Sequence, residues 1–320
     1  MQTVTLARLA MATRFEVVLH GDDPVALRAA GDEALAEVER LEGRLSLYRQ
    51  DSEIAHLNSR AALEPVRVSP DVFRLLQLAG RLASETDGAF DVTIAPLVRC
   101  WGFMGDTGSR PDPAALAAAR ATTGMRHFHL NAEDRSVAFD REGVMLDLGA
   151  IGKGWAVEQA ADILREAGVT SALIHGGTST VYAIGHPPDA ESWNVAIEQP
   201  LQPPSSPAKP AAVIPLRDES LSVSAVWGKS FTAEGTTFGH VLDPRSGRPA
   251  DLAVLAAVAG SSATETDALS TALLVLGEAG HDRIAALRPG LRTLVLAGSA
   301  NDLRATARGI AWEKAQPPGG

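Results

Sequence analysis

The feature that most restricts this chain is residues 144–158, VMLDLGAIGKGWAVE, where a short apolar run gives way to glycines and then to helical spacing. Val144, Met145 and Leu146 have the character of a strand, Asp147 follows, and Gly149, Gly152 and Gly154 mark a turn. Trp155, Val157, Ala160, Ala161, Ile163 and Leu164 then recur at the period of an amphipathic helix. A glycine-rich strand-to-helix turn lets backbone N–H groups approach an anion, and the helix N-terminus adds positive potential. Lys153 contributes a mobile cation and Asp147 a carboxylate, a combination suited to a phosphate-bearing ligand. Neither GxxxxGK[ST] nor GxGxxG is present. Taken alone, the stretch serves equally as a plain glycine-rich connection with a surface lysine.

Around this turn, helical and extended patterns interleave without a regular βαβ repeat, which points to an α+β fold. Residues 14–20 read as a strand closed by the turn residues of 21–24, and 24–45 carry a long helical pattern. A polar loop and a short helix capped by Asp51 or Ser52 fill 46–58, and Pro70 sits in the first turn of the next helix. Residues 90–94 are expected to be extended, and 113–120 helical. Short strands are expected at 128–130, 136–139, 144–146, 172–174, 181–184 and 194–197. Residues 199–215, dense in proline, read as an extended spacer or exposed loop. A strand at 221–226, a strand running into a turn at 239–249, strand-like 252–259, a helix at 265–276 and a strand at 291–296 complete the pattern.

At 320 residues the chain has room for one large domain or two modest ones, and its 45% hydrophobic and 21% charged content is ordinary globular composition. The formal net charge of −10 argues against a general nucleic-acid binder or a basic membrane-surface patch. The single cysteine, Cys100, leaves no internal disulfide and no multi-cysteine metal site. No run approaches the ~18 apolar residues of a membrane helix. The first residues show neither a signal-like h-region nor a cysteine for a lipid anchor, so the sequence reads as a cytoplasmic protein without a membrane anchor.

Two further constellations have chemical content. Asp267, Ser270 and Thr271 lie at offsets of three and four, so a helix puts their oxygens on one face. Such donors suit a hard cation such as Mg²⁺, which keeps waters and shares phosphate oxygens; the alternative is a helix start rich in capping residues. His240 and Asp243 place two titratable groups beside a turn, fit for proton transfer or simply for a strand edge.

Taken together, these segments resemble the ApbE family, the FAD:protein FMN transferases. The resemblance runs nearly the length of the chain. In order it comprises Met11-Ala12-Thr13, Leu45-Ser46-Leu47-Tyr48, Ser52-Glu53-Ile54, Leu57-Asn58, Gly88-Ala89-Phe90-Asp91-Val92-Thr93, Pro96-Leu97-Val98 and Trp101-Gly102-Phe103. Asp147 to Gly154, Gly176-Gly177, His240 to Gly247 and Asp267 to Ala272 complete it. It implies mixed and antiparallel sheets with packed helices in one large domain of two intertwined subdomains. That domain would span 1–316, with 199–215 as a Pro-rich insertion and 317–320 as a frayed tail. It also implies that Met11, Tyr48, Ala89, Phe90, Asp91, Asp147, Lys153, His240 and Val241 line FAD, the substrate. Mg²⁺ would be held by Asp267, Thr271, main-chain oxygen near Ala150 and, in addition, Ser270. Lys153, His240 and Asp243 are the residues expected to act in FMN transfer to a Ser or Thr hydroxyl of an acceptor flavoprotein.

Three departures stand out. Ala12 replaces the family's usual glycine, Ser224-Ala225 stands where Ser-Gly is common, and Thr178 follows the glycine pair where an acidic or amide residue is usual. The alternatives to transfer are FAD pyrophosphatase activity, with water as nucleophile, and a non-catalytic FAD-binding protein.

Overall fold

The computed structural model describes residues 1–105, 108–199, 210–299 and 302–312. The chain divides into two compact units, one of residues 1–39, 153–224 and 252–320, the other of residues 40–152 and 225–251. Among the described residues no helix is long and apolar enough to cross a membrane.

The first unit is built on an eight-stranded sheet. Its spatial order is Gln2–Ala10, Thr13–Gly21, Ala172–Gly176, Thr180–Ile184, Ser220–Ala225, Leu255–Gly260, Arg292–Ser299 and Asp302–Arg308. Side-chain alternation decides which face each residue covers. Val17 and Leu19 turn toward Gly31 of the Pro24–Leu45 helix, which approaches so closely that a β-carbon there would lie 2.9 Å from Leu19. Val18 and its partner Leu173 turn the other way, onto the hairpin of Trp193–Glu198 and Pro210–Leu216. Leu255, Ala257 and Ala259 pack on the same hairpin, and all of Leu255–Gly260 is buried, as befits a strand covered on both sides. Helices Gly152–Glu166 and Ala263–Leu276 belong to this unit, the latter packed on Leu255–Gly260. Arg8, Arg304 and Arg308 charge the two edge strands.

The second unit holds helices Glu53–Arg60, Pro70–Glu85, Ala95–Cys100 and Pro113–Ala121 with a three-stranded antiparallel sheet, Val66–Arg67, Ser136–Phe139 and Phe128–Asn131. Ser52 caps the first helix, its Oγ accepting from the Ala55 N–H at 2.9 Å, and Asp112 caps the last in the same way. Leu97, Trp101, Phe103, Ala119 and Leu242 form a core to which Phe231 and Phe238 of the hairpin Ser230–Ala233/Thr236–Gly239 add their rings.

Three local expectations change. Residues 90–94 are not extended: the Asp91 carboxylate accepts from the Thr93 N–H at 2.7 Å, a 3₁₀ turn forms at Val92–Ile94, and a short helix follows. Residues 144–146 join no strand ladder. Instead the Asn58 side chain takes a strand's place, accepting from the Leu146 N–H at 2.7 Å and donating to its carbonyl at 3.0 Å. Of the proline-dense segment, Pro210–Leu216 is a strand with Ala211, Ala212 and Ile214 buried, because its apolar residues cover the sheet; residues 200–209 lie outside the described residues, as does the expected tail at 317–320.

Candidate functional site

In the first unit the site is built where two helices start. Gly152–Glu166 begins directly after the glycine turn, and its Gly154 N–H donates to Asp267 Oδ2 at 2.8 Å. The first-turn N–H groups of a helix lack intrahelical acceptors, so a carboxylate there is held by both a hydrogen bond and the helix dipole. Gly154 has no room for a side chain: a β-carbon would lie 2.2 Å from the Ala263 carbonyl oxygen and 2.6 Å from Asp267 Cβ. The glycine therefore serves the close approach of two helices. Lys153, one residue earlier, is partly exposed.

Asp267 lies on Ala263–Leu276, whose start is capped by Ser262 accepting from the Glu265 N–H. Glu158 ties the two helices together, its Oε2 accepting from Ser262 Oγ at 2.7 Å and from the Thr264 N–H at 2.8 Å. One turn beyond Asp267, Ser270 Oγ donates to the Asp267 carbonyl at 2.9 Å, and Thr271 Oγ1 lies 3.4 Å from the same oxygen. Ser224 contacts both hydroxyls, at 2.8 Å from Ser270 and 3.2 Å from Thr271. Ser270 is fully buried and Thr271 partly exposed, so Thr271 is the better presented donor. Glu158 and Thr180, whose hydroxyl reaches Asp267 Oδ1, were not singled out from sequence, and Ser224 stood out only as part of a departure from the family pattern. The alternation Ser220, Ser222, Ser224 was the available signal for one of them, since period two puts these serines on one face.

Met11 and Ala12 form the turn between Gln2–Ala10 and Thr13–Gly21, with φ of 50° and 57°. A two-residue hairpin turn of this kind needs positive φ at both positions. Gly177 presses against the following strand: a β-carbon there would lie 2.4 Å from Thr13 Oγ1.

The second unit carries the other expected residues. Tyr48 is exposed, whereas Ala89 and Phe90 are buried. The Asp91 carboxylate, largely buried, accepts from Thr93 N–H, Thr93 Oγ1 and the Met125 N–H at 2.7, 2.6 and 3.1 Å. Burial pushes its carboxyl above the usual range against these bonds. Gly88, Asp91, Arg120, Arg126 and Arg245 line a cavity of about 680 Å³, within the size range of ligand sites. Asp147 Oδ1 accepts from the Gly149 N–H at 2.7 Å and so shapes the turn that contains Ala150.

The His240 ring is fixed by the Lys229 carbonyl, 3.1 Å from Nδ1. A carbonyl only accepts, so Nδ1 carries the hydrogen and Nε2 is the basic nitrogen of the neutral ring. Both Asp243 oxygens accept from the Arg245 guanidinium, at 2.8 and 3.0 Å, and this hydrogen bonding to Asp243 raises the Arg245 pKa. Asp243 thus shapes the turn, while the Val241 carbonyl accepts from the Ala250 N–H across it.

The first unit thus combines antiparallel sheet with a helix pair closed at a glycine, and oxygen side chains cluster where the two helices meet. The model of the ApbE family matches residues 11–295, and the chain belongs to that family. A Vibrio cholerae protein named FAD:protein FMN transferase is 33% identical over 247 residues, covering 75% of this chain and 71% of the relative. A Treponema pallidum protein of the same name is 32% identical over 286 residues, covering 85% and 78%. The apo crystal structure of Pseudomonas stutzeri flavinyl transferase ApbE superposes with a TM-score of 0.82 at 29% identity, covering 96% of this chain and 95% of that one. The α+β expectation therefore holds.

Proposed function

We propose that this chain is a Mg²⁺-dependent FAD:protein FMN transferase, which moves FMN from FAD onto a Ser or Thr hydroxyl of an acceptor flavoprotein and releases AMP. The observation that carries this reading is the Asp267 carboxylate, held by Gly154 at the start of one helix with the Ser270 and Thr271 hydroxyls a turn further along its own. That donor set is oxygen only, the chemistry a hard cation requires, and one carboxylate leaves positions for water and phosphate oxygen. Asp267 and Thr271 would hold the Mg²⁺, with Ser270 supporting them. When bound, the ion supplies charge neutralisation at the diphosphate.

The chain's own residues do the rest. The acceptor hydroxyl oxygen bonds to the FMN-side phosphorus as the bond from that phosphorus to the bridging oxygen breaks, and the bridging oxygen leaves on AMP. His240 Nε2, basic because Nδ1 is committed to Lys229, receives the hydroxyl proton. The Lys153 ammonium offsets charge growing on the leaving phosphate. The Ala150 carbonyl as a further metal donor, and Met11, Tyr48, Ala89, Phe90, Asp91, Asp147 and Val241 as nucleotide contacts, belong to the same proposal on the family likeness.

The test is chromatography of the purified protein incubated with FAD, with Mg²⁺ or chelator, and with or without an acceptor flavoprotein. AMP formed only with Mg²⁺, and FMN covalently on the acceptor, are the expected results; Asp267→Ala should lower the rate about a hundredfold or more. Free FMN in proportion to AMP with acceptor present would instead make the protein a pyrophosphatase. FAD binding without AMP under every condition would leave a storage protein.

A further inference from the structure

We infer that a buried chain of hydroxyls, Ser220, Thr266, Ser222 and Thr180, positions the Asp267 carboxylate for cation binding; the inference rests on the metal reading above. All four hydroxyl residues have no solvent exposure. Thr180 Oγ1 donates to Asp267 Oδ1 at 3.4 Å, and Ser222 Oγ donates to Thr180 Oγ1 at 3.3 Å. Thr266 Oγ1 lies 3.0 Å from Ser222 Oγ and 2.9 Å from Ser220 Oγ, and Ser220 reaches the Gly260 carbonyl at 3.0 Å.

The direction of the chain follows from its end. An ionised carboxylate only accepts, so Thr180 gives it the one proton it has and must itself accept from Ser222. Ser222, its proton spent, is left as an acceptor facing Thr266, whose hydroxyl also lies 3.2 Å from the Ala263 carbonyl. The Thr180 and Ser222 dipoles then point their positive ends toward Asp267 and polarise one another, while Ser220 donates to the Gly260 carbonyl and closes the far end of the chain. The arrangement is built into the fold: Ser222 and Thr180 are opposite residues of paired strands, while Thr266 and Asp267 are neighbours on the helix above.

Packing alone does not call for these residues. A sheet-to-helix interface is stably filled by alanine and valine, and replacing a satisfied hydroxyl pair by apolar groups of like shape is nearly neutral. What apolar groups cannot do is fix a carboxylate. Oδ2 is held by Gly154 and Oδ1 by Thr180, so rotation about the terminal bond is blocked and the remaining lone pairs keep one direction. Hydrogen-bonding partners behind metal ligands typically contribute 10–100-fold in metal affinity.

The experiment titrates Mn²⁺ into the purified full-length protein and follows the free-ion EPR signal, comparing wild type, Thr180→Val, Thr180→Ser, Ser222→Ala and Asp267→Asn. FAD affinity in chelator is measured alongside. Thr180→Val should raise the Mn²⁺ dissociation constant about tenfold and the Mg²⁺ needed for half-maximal turnover in parallel. Thr180→Ser should recover most of the affinity, Ser222→Ala should lose less than Thr180→Val, and FAD affinity in chelator should not move. If Asp267→Asn abolishes Mn²⁺ binding while Thr180→Val and Ser222→Ala bind it as tightly as wild type, the hydroxyl chain is packing and the inference falls. If Asp267→Asn itself binds Mn²⁺ normally, the metal reading fails and takes this inference with it. The isosteric Val and the smaller Ser and Ala are checked for folding by thermal melting, so a folded variant decides the question in any case.

Discussion

Ala12 holds a side chain in backbone that favours glycine. Its φ of 57°, next to Met11 at 50°, is set by the two-residue hairpin turn and not by any preference of alanine. The left-handed region costs a non-glycine residue roughly 1–2 kcal/mol, and glycine gives back roughly 0.5–1 through its freer unfolded chain. Ala12→Gly should therefore stabilise the protein by about 0.5–1 kcal/mol, read as a higher denaturant midpoint at unchanged slope. A lower midpoint would mean that the methyl group makes contacts worth more than the strain. Met11 is one of the proposed nucleotide contacts, and backbone strain of this kind commonly persists at ligand sites.

Among elements, the two helices joined at Gly154 and Asp267 are sensitive to a single added atom. Gly154→Ala puts a methyl group on the Ala263 carbonyl and on Asp267 Cβ, neither of which is a flexible side-chain end. The helices must separate, at about 1–3 kcal/mol or more, and the Gly154 N–H must leave Asp267. Thermal melting and Mg²⁺-dependent AMP release should fall together; unchanged activity in a destabilised variant would remove the role assigned to this contact. These helices were legible in the sequence because their apolar residues recur at three- and four-residue spacing, which needs no partner to be recognised, although Ala263–Leu276 proves to be buried on nearly every side. The strands at 128–130 and 172–174 alternate at period two, whereas 136–139 and 181–184 were legible as short runs of β-forming residues and are buried almost throughout. Residues 144–146 were not, since their bonds come from Asn58, 88 positions away in the chain. Residues 90–94 were misread because the capping carboxylate of Asp91 outweighs the apolar run behind it. In the site, Asp267, Ser270 and Thr271 showed through their offsets, whereas Thr180 meets Asp267 only once the sheet has formed. Gly154 was noticed for ligand approach, but its crowding against Ala263 has no sequence signature.

Across the whole molecule, the chain enters the second unit twice, at 40–152 and 225–251. The later segment brings Phe231, Phe238 and Leu242 to the core of the earlier one, with Phe238 5.5 Å from Trp101, and Gly247 supplies the carbonyl to which Trp101 Nε1 donates at 2.8 Å. A fragment of residues 40–152 alone should bind ANS and unfold without a sharp transition, and joining residues 225–251 to it through a flexible linker should restore cooperativity. Equal cooperativity in both fragments would mean that the aromatic core is dispensable. The eight-stranded sheet of the first unit has a consequence for synthesis. Its first two strands are complete by residue 21, their neighbour starts at residue 172, and the far edge closes only with Asp302–Arg308. At ribosomal speeds of roughly 5–20 residues per second, the N-terminal hairpin waits on the order of ten seconds for that neighbour. A lone hairpin is marginal in water, so through that interval its open edge and apolar face are what the nascent chain presents to chaperones.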